Sequence, residues 1–278
     1  MKIIFYYIAL ILLFTLSLHG QDNSRKIDSL DLLIRSAIGK EKVDLLNQQA
    51  ALMPVNSARK RIELSKNALE LSFNKHTEYI EGVAESYNNL GVGFYHLREH
   101  DSSLVYLGLA KEKALKINEP KLLSDIYNNI GNTYERFLDY ETADIYHNKS
   151  LLIRKSIGDT TGIASSLVNL GLNAWRVGKY LEANEYYLHA LEIRRRNGDP
   201  FSLGNILNNI GILNWNWGNY VKALQYYLES YEMRDKAGDS NGVAITGNNI
   251  ALLYQKLGDF EKSYQYLQKS LDYATKVN

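Results

Sequence analysis

The chain has 278 residues, with 32 lysines and arginines against 31 aspartates and glutamates, and it has no cysteine. A nearly neutral chain has no electrostatic field to steer it to nucleic acid or to an anionic membrane, so neither is expected as a partner. The lack of cysteine excludes disulfides, thiolate metal sites and a cysteine nucleophile.

Residues 1–20 have the composition of a secretory signal peptide. Lys2 is the charged start, residues 3–18 are almost wholly apolar, and cleavage after Gly20 would leave Gln21 as the new terminus. The run is a little shorter than the roughly 20 residues that a membrane-spanning helix needs, so an uncleaved membrane anchor is the alternative. We expect cleavage, because the run is short and polar residues follow at once, and hence an exported protein, periplasmic or secreted. No membrane contact is expected beyond this segment.

Residues 21–42 are predicted to form an N-terminal capping helix. Apolar residues at positions 27, 30, 33 and 34 recur on one side of such a helix. This apolar side is expected to cover the first unit of the array that follows.

A short pattern, Asn-Asn-Ile-Gly or a close variant of it, then returns every 40 residues. Its second position is asparagine in all five copies, at residues Asn89, Asn129, Asn169, Asn209 and Asn249. A fixed period of this size without insertions predicts a stack of repeated units instead of a single globular core. We place this array at 43–278, as about six repeats, of which the first is degenerate and the other five are regular.

Each regular unit has the pattern of two antiparallel helices. In one first helix, Tyr127, Ile130, Gly131 and Tyr134 lie on the same side at about 100° per residue. The second helix places Ala143 on its packing face, because closely crossing helices need small residues where they meet. A Gly-Asp pair closes three of the second helices, with glycine left-handed and aspartate capping the next helix. We therefore predict an all-α, right-handed superhelical solenoid of antiparallel helix pairs, without strands.

This pattern resembles the tetratricopeptide repeat, in which a small-large-Gly helix precedes a helix with Ala or Ser two and a half turns in. The 40-residue period with Asn-Leu-Gly and Gly-Asp is similar to the longer variant of kinesin light chains and peptide-sensing bacterial regulators. The resemblance covers 43–278 and implies a general protein-binding scaffold. A secretion signal ahead of such repeats also resembles the sensor parts of bacterial envelope signalling proteins. Those proteins usually continue into a membrane helix and an output domain.

No residue pattern of a catalytic or metal site is found. The six histidines share no spacing and form no pair of metal ligands, and no phosphate-binding glycine motif occurs. Carboxylates fall on solvated helix faces and at the Gly-Asp turns. The basic run Arg194, Arg195 and Arg196 is interpreted as complementing the negative C-terminal end of its helix. We expect no enzymatic activity, no cofactor and no metal.

The face of the first helices opposite the packing stripe is the candidate binding surface. Positions two before, one after and five after the recurring glycine lie within about 60° of one another on the helix. In a tetratricopeptide-like superhelix they face the concave side. Amides can hold an extended peptide backbone, aromatic rings can anchor side chains, and arginine can pair with a carboxylate. The predicted peptide-binding groove consists of Asn89, Asn129, Asn169, Asn209, Asn249, Tyr95, Arg136, Trp175, Arg176, Trp215, Asn216 and Lys256.

Two structural alternatives for this surface stay open. The asparagine amides could bridge helices of neighbouring repeats, which would explain their periodic recurrence without a ligand. Trp175 and Trp215 could pack between adjacent first helices.

The sequence predicts a secreted or periplasmic interaction module that binds a peptide or protein segment in its concave groove. The alternative is a sensor or regulatory portion of a bacterial signalling protein, of the histidine kinase or transcription regulator type, either truncated or acting in trans. A reading frame that continues past Asn278 into a spanning helix would favour the sensor. The sequence specifies neither the ligand nor the oligomeric state.

Overall fold

The computed structural model describes residues 21–74 and 77–275, most of which are helical. The signal peptide predicted for residues 1–20 lies outside the described residues. Within them there are thirteen α-helices. They are α1 (Gln21–Ser36), α2 (Gly39–Leu52), α3 (Ala58–Ser72), α4 (Ile80–His96), α5 (His100–Ile117), α6 (Pro120–Arg136), α7 (Tyr140–Ser156), α8 (Thr160–Arg176), α9 (Tyr180–Asn197), α10 (Pro200–Asn216), α11 (Tyr220–Lys236), α12 (Ser240–Leu257) and α13 (Phe260–Thr275).

The predicted all-α class is confirmed, with one local departure in the linker between α3 and α4. There the chain forms two antiparallel two-residue strands, β1 (Phe73–Asn74) and β2 (Thr77–Glu78), in which Phe73 lies opposite Glu78. The backbone N–H of Tyr79 then donates to the carbonyl of Ser72 at 3.0 Å. This closure returns the chain to the end of α3 before α4 begins.

The chain forms two compact units, with the boundary between Ile153 and Arg154 inside α7. In the first unit α2 packs on α3 and α4 packs on α5. In the second unit the pairs are α8 with α9, α10 with α11, and α12 with α13. Helices adjacent in sequence therefore form the antiparallel pairs that the 40-residue pattern predicts.

The segment expected as a capping helix over 21–42 divides into α1 and the start of α2. On α1, Ile27 and Ile34 pack against a buried cluster that includes Val43, Leu46 and Ala50 of α2. This contact removes apolar surface of the first helix pair from water, which is the stabilising effect of a terminal cap in a repeat array.

In four of the five regular repeats, a glycine of the first helix packs against the residue sixteen positions later in the second helix, and the last repeat has Ala251 in this slot. A Cβ atom built at Gly171 would lie 2.7 Å from Cε1 of Tyr187, and one at Gly211 would lie 2.5 Å from Cδ1 of Tyr227. Both tyrosines are almost fully buried, at 1% and 3% exposure. Only glycine permits this approach, so the close crossing inferred from the sequence is present. The corresponding contacts in the first unit are Gly91 with Leu107 and Gly131 with His147.

Left-handed residues end the helices where the sequence places Gly-Asp. Gly158, Gly198 and Gly238 have φ between 68° and 70°. Asp159 and Asp239 each accept a hydrogen bond at 2.9 Å from the backbone N–H three residues later. These are the C-terminal and N-terminal caps predicted from the Gly-Asp pairs.

The turn inside each helix pair also needs one left-handed residue. The three later repeats use glycine there, with φ of 82°, 74° and 84° at Gly178, Gly218 and Gly258. The two earlier repeats use Arg98 and Leu138, with φ of 65° and 61°. An L-residue is strained in this conformation, because its Cβ comes close to the backbone.

A group of carboxylates lies around α4 in the first unit. Burial and then the negative charges of Asp44, Glu81 and Glu119 raise the pKa of Glu85 to about 7. The folded state therefore holds a proton on this carboxyl more tightly than the unfolded chain does.

Candidate functional site

The asparagines of the predicted groove make hydrogen bonds between neighbouring repeats. Nδ2 of Asn129 donates to Oδ1 of Asn88 at 2.9 Å, and Nδ2 of Asn249 donates to Oδ1 of Asn208 at 3.0 Å. Both bonds join residues 41 positions apart, so each second asparagine meets the first asparagine of the preceding repeat. We call this series of five asparagines the asparagine ladder. Its contacts between neighbouring repeats correspond to the structural alternative to peptide binding.

The other three asparagines of this series are Asn89, Asn169 and Asn209. Asn89 is buried and its Nδ2 donates to the backbone carbonyl of Asn47 at 3.1 Å. Asn169 also has an interaction partner. Asn209 is half-buried, and its side chain makes no hydrogen bond with any residue that the structure describes. Forty-one positions before Asn209 stands Val168, which has no side-chain acceptor. The side-chain amide of Asn209 is therefore available to a ligand.

The two tryptophans of the groove are half-buried. Trp215 packs against a cluster containing Tyr227, Ile250 and Leu253, and it lies edge-on to Tyr220 with ring centroids 5.5 Å apart. Trp215 therefore packs within the protein, which corresponds to the structural alternative to ligand contact. In Trp175 the indole N–H is buried and has no acceptor among the described residues.

The remaining groove residues of the second unit are exposed. Arg176 and Asn216 are the last residues of α8 and α10, and Lys256 is the penultimate residue of α12. Each follows an aromatic residue in the sequence, namely Trp175, Trp215 or Tyr254 at one or two positions earlier. The second unit thus exposes polar side chains at the ends of these helices, one or two residues after an aromatic residue.

In the first unit, Tyr95 and Arg136 come together. Nε of Arg136 donates to the hydroxyl of Tyr95 at 2.8 Å, and the guanidinium carbon lies 5.1 Å from the centre of the Tyr95 ring. The ring also lies near His96 and His100, with centroid separations of 5.3 and 5.9 Å. Two residues predicted separately for the groove therefore belong to one aromatic and basic cluster.

This cluster borders a cavity of about 460 Å³. We refer to it as the cationic pocket, and its lining residues are Val55, Tyr95, His96, Arg98, His100 and Arg136. Burial and then the positive charges of Arg61 and Arg136 lower the pKa of His96. The sequence prediction missed Arg98 and His100. The signal that could have revealed Arg98 is its position in a turn where later repeats have glycine.

A second set that sequence reasoning missed consists of buried arginines 40 residues apart in the second unit: Arg154, Arg194 and Arg234. A guanidinium N–H of Arg154 donates to Oγ of Ser166 at 2.8 Å, and one of Arg194 donates to Oγ of Ser165 at 2.9 Å. Arg194 therefore bridges α9 to α8 instead of only complementing the end of its own helix. This corrects the interpretation of the Arg194 to Arg196 run.

No group of three or more His, Asp or Glu side chains in the part of the chain that the structure describes is arranged to hold a metal ion. None of the helices between residues 21 and 275 combines the length and the apolar character needed to cross a membrane.

The paired helices, the 40-residue period and the glycine crossings define an α-helical repeat protein. Two family models, both described as tetratricopeptide repeat, match residues 162–236 and 248–276. Residues 162–236 and 248–276 therefore match the tetratricopeptide repeat that the resemblance in the sequence implied. No curated protein sequence matches the chain.

Solved structures share this fold at low sequence identity. BtubC (BKLC) from P. vanneervenii is 18% identical with a TM-score of 0.66, and the match covers 81% of this chain and 91% of BtubC. A Rap protein complexed with Competence and Sporulation Factor is 15% identical with a TM-score of 0.68, covering 90% of this chain and 80% of Rap. NprR in complex with its cognate peptide NprX is 19% identical with a TM-score of 0.60, covering 99% of this chain and 74% of NprR. At these identities the similarity shows the fold alone.

Proposed function

We propose that this chain is an exported scaffold that binds an extended peptide or protein segment along the first helices of its repeats. The observation that carries the proposal is Asn209, whose amide has no hydrogen-bond partner among the described residues, whereas Asn249 is engaged with Asn208. An amide in this state offers two donors and an acceptor to a peptide backbone. The neighbouring tryptophans and exposed polar ends of α8 and α10 supply apolar and charged contacts.

The similar folds support the same reading. The Rap protein is complexed with Competence and Sporulation Factor and NprR with its cognate peptide NprX, so a similar arrangement of helices holds a peptide in NprR. The proposal gives the chain a binding role and assigns it no catalytic step.

The proposal predicts opposite outcomes for two asparagines of the same ladder. Asn209→Ala removes an unengaged amide, so we expect the affinity for a bound peptide to fall about two- to tenfold with little change in melting temperature. Asn249→Ala removes the hydrogen bond to Asn208, so we expect a loss of about 0.5–1.5 kcal/mol in the free energy of unfolding. A peptide selected from a phage-displayed library on the full chain is the probe. Calorimetric titration and thermal melts measure the two effects.

The pair of variants also shows how the proposal fails. If Asn209→Ala binds the selected peptide as the parent does while Asn249→Ala melts earlier, the ladder is purely structural. If the library yields no binder on the full chain, the scaffold function itself is contradicted.

Export is tested separately from binding. The full chain, expressed with its first 20 residues in a bacterial host, is expected in the periplasm or medium with Gln21 as its first residue. Fractionation and N-terminal sequencing measure this. A product retained in the membrane with Met1 intact would favour the uncleaved anchor.

The alternative function, a sensor portion of a signalling protein, would use the same binding surface. It differs in what accompanies the repeats, and a reading frame that extends past Asn278 into a spanning helix would favour it.

A further inference from the structure

The cationic pocket of the first unit has an excess of positive charge that the protein itself does not neutralise. Neither Arg98 nor Arg136 forms an ion pair with a carboxylate anywhere in the described part of the chain. The carboxylates next to them in sequence are Glu99, which is exposed, and Glu135, whose Oε1 lies 3.0 Å from Nε2 of His147. Both arginine side chains are exposed and line the same cavity, where an anion could accept hydrogen bonds from them.

The conformation of Arg98 adds a second observation. It occupies the left-handed turn position for which three later repeats use glycine, and an L-residue costs conformational energy there. Leu138 shows that the turn tolerates another L-residue, so strain by itself identifies nothing. The difference is that the side chain of Arg98 lines the cavity.

The remaining donors of the pocket are arranged to receive a planar anion. Nε of Arg136 is held by the hydroxyl of Tyr95, which fixes the plane of the guanidinium. Its two terminal nitrogens have no acceptor among the described residues. A carboxylate takes two parallel hydrogen bonds from such a fork. Tyr95 and Arg136 lie at the ends of α4 and α6, two of the first helices along which the proposed peptide binds.

We propose that the cationic pocket binds a carboxylate group of an acidic peptide, held between Arg98 and Arg136 with His96 and His100 at its border. This inference rests on the proposed peptide-binding function and specifies the chemistry that one part of the surface selects. The carboxylate comes from a glutamate or aspartate side chain, or from the C-terminus of the peptide.

Binding to this pocket strengthens as the pH falls from 7 toward 5. The groups that face His96 are Arg61 of α3, Arg136 of α6, and the nearby Tyr95, Arg98 and His100. Burial, and then the two arginines, lower the pKa of His96 below its ordinary 6.5, so the neutral imidazole predominates at pH 7. A bound carboxylate favours the protonated imidazole, so protonation of His96 and binding support each other. The effect ends near pH 4, where glutamate side chains lose their charge.

The test uses the full chain and a fluorescein-labelled hexamer of glutamate, with the C-terminally amidated hexamer of glutamine, which has no peptide carboxylate, as the control. Fluorescence anisotropy is expected to show binding of the glutamate hexamer and at least tenfold weaker binding of the glutamine hexamer, since a charge-assisted bidentate contact is lost. A glutamate hexamer with an amidated C-terminus distinguishes binding through side-chain carboxylates from binding through the terminal carboxylate. Binding of inorganic phosphate with no binding of the glutamate hexamer would overturn the proposal.

Arg98→Gly is the decisive variant, because glycine is the relaxed residue at this turn. We expect its melting temperature to be no lower than that of the parent and its affinity for the glutamate hexamer to fall about tenfold. Leu138→Gly is the matched control, with the same backbone change and unchanged affinity. Unchanged affinity in Arg98→Gly would overturn the pocket. A library peptide that still binds through Asn209 would then leave the proposed function intact.

Discussion

Gly171→Leu is expected to destabilise the second unit strongly. The first added carbon would lie 2.7 Å from the ring of Tyr187, which is 1% exposed and cannot move into solvent without leaving a void. Overpacking of this kind costs about 1–3 kcal/mol and sometimes more. Since neighbouring repeats stabilise one another, the loss should extend beyond a single helix pair. At roughly 2–4 °C per kcal/mol, a thermal melt should show a decrease of several degrees.

Gly108→Leu is the control for this substitution. Gly108 lies inside α5, and a Cβ atom built there meets nothing within 4 Å. Both variants gain the same helix propensity, at most about 1 kcal/mol, so the difference between them isolates the clash. Equal melting temperatures for the two variants would show that the glycine slot is not closely packed.

Glu85→Gln is expected to stabilise the first unit at pH 8 by about 1–3 kcal/mol, with allowance for partial exposure of the group. The pKa of Glu85 is raised by burial and by Asp44, Glu81 and Glu119 from its ordinary 4.5 to about 7. A raised carboxyl pKa means that the folded state binds the proton more tightly than the unfolded state. Its contribution is therefore lost as the pH rises from about 4.5 to 7. Glutamine removes that loss.

Denaturant unfolding at pH 4, 6 and 8 measures this effect. The gain from Glu85→Gln should grow with pH and be close to zero at pH 4. Glu63→Gln, on an exposed carboxylate of α3 that pairs with Lys60, should show no such growth. A gain that is equal at all three pH values would contradict the assignment of the shift to ionisation.

Most of the fold follows from the sequence because its determinants are local and periodic. The glycine at 171 and the tyrosine sixteen residues later recur together, and Gly-Asp pairs specify how each helix ends and the next begins. The short pair of antiparallel strands between Phe73 and Glu78 was not predicted. It depends on how α3 and α4 are joined in the degenerate repeat, where the period gives no local signal.

The sequence predicts which helix face the candidate site residues lie on, but it does not predict which residues their side chains contact. The helical period places Asn129 and Asn249 on the correct face. What their amides do depends on the residue 41 positions earlier, which is Asn88 for one and Asn208 for the other. The same comparison singles out Asn209, because Val168 stands in that place. The buried arginines were harder to recognise, since a charged residue near a helix end usually indicates an exposed face.

The cationic pocket required the three-dimensional structure. Tyr95 and Arg136 were predicted from helical spacing, but Arg98 lies in a turn and His100 opens the next helix. Only the packing of α4, α5 and α6 brings these residues around one cavity.

The hydrogen bond between Asn249 and Asn208 has a consequence for how such a protein can lengthen during evolution. A tandem duplication of residues 201–240 would place a second Asn209 41 positions after Asn208, and the new junction would gain the Asn-Asn bond that Val168 denies to the present one. The original Asn249 would find its acceptor in the copied Asn208. An insertion of one residue fewer would put Ile210 in that position, where no side-chain donor is present for Asn208. Growth by whole units is therefore compatible with the existing contacts, whereas growth by other lengths is not.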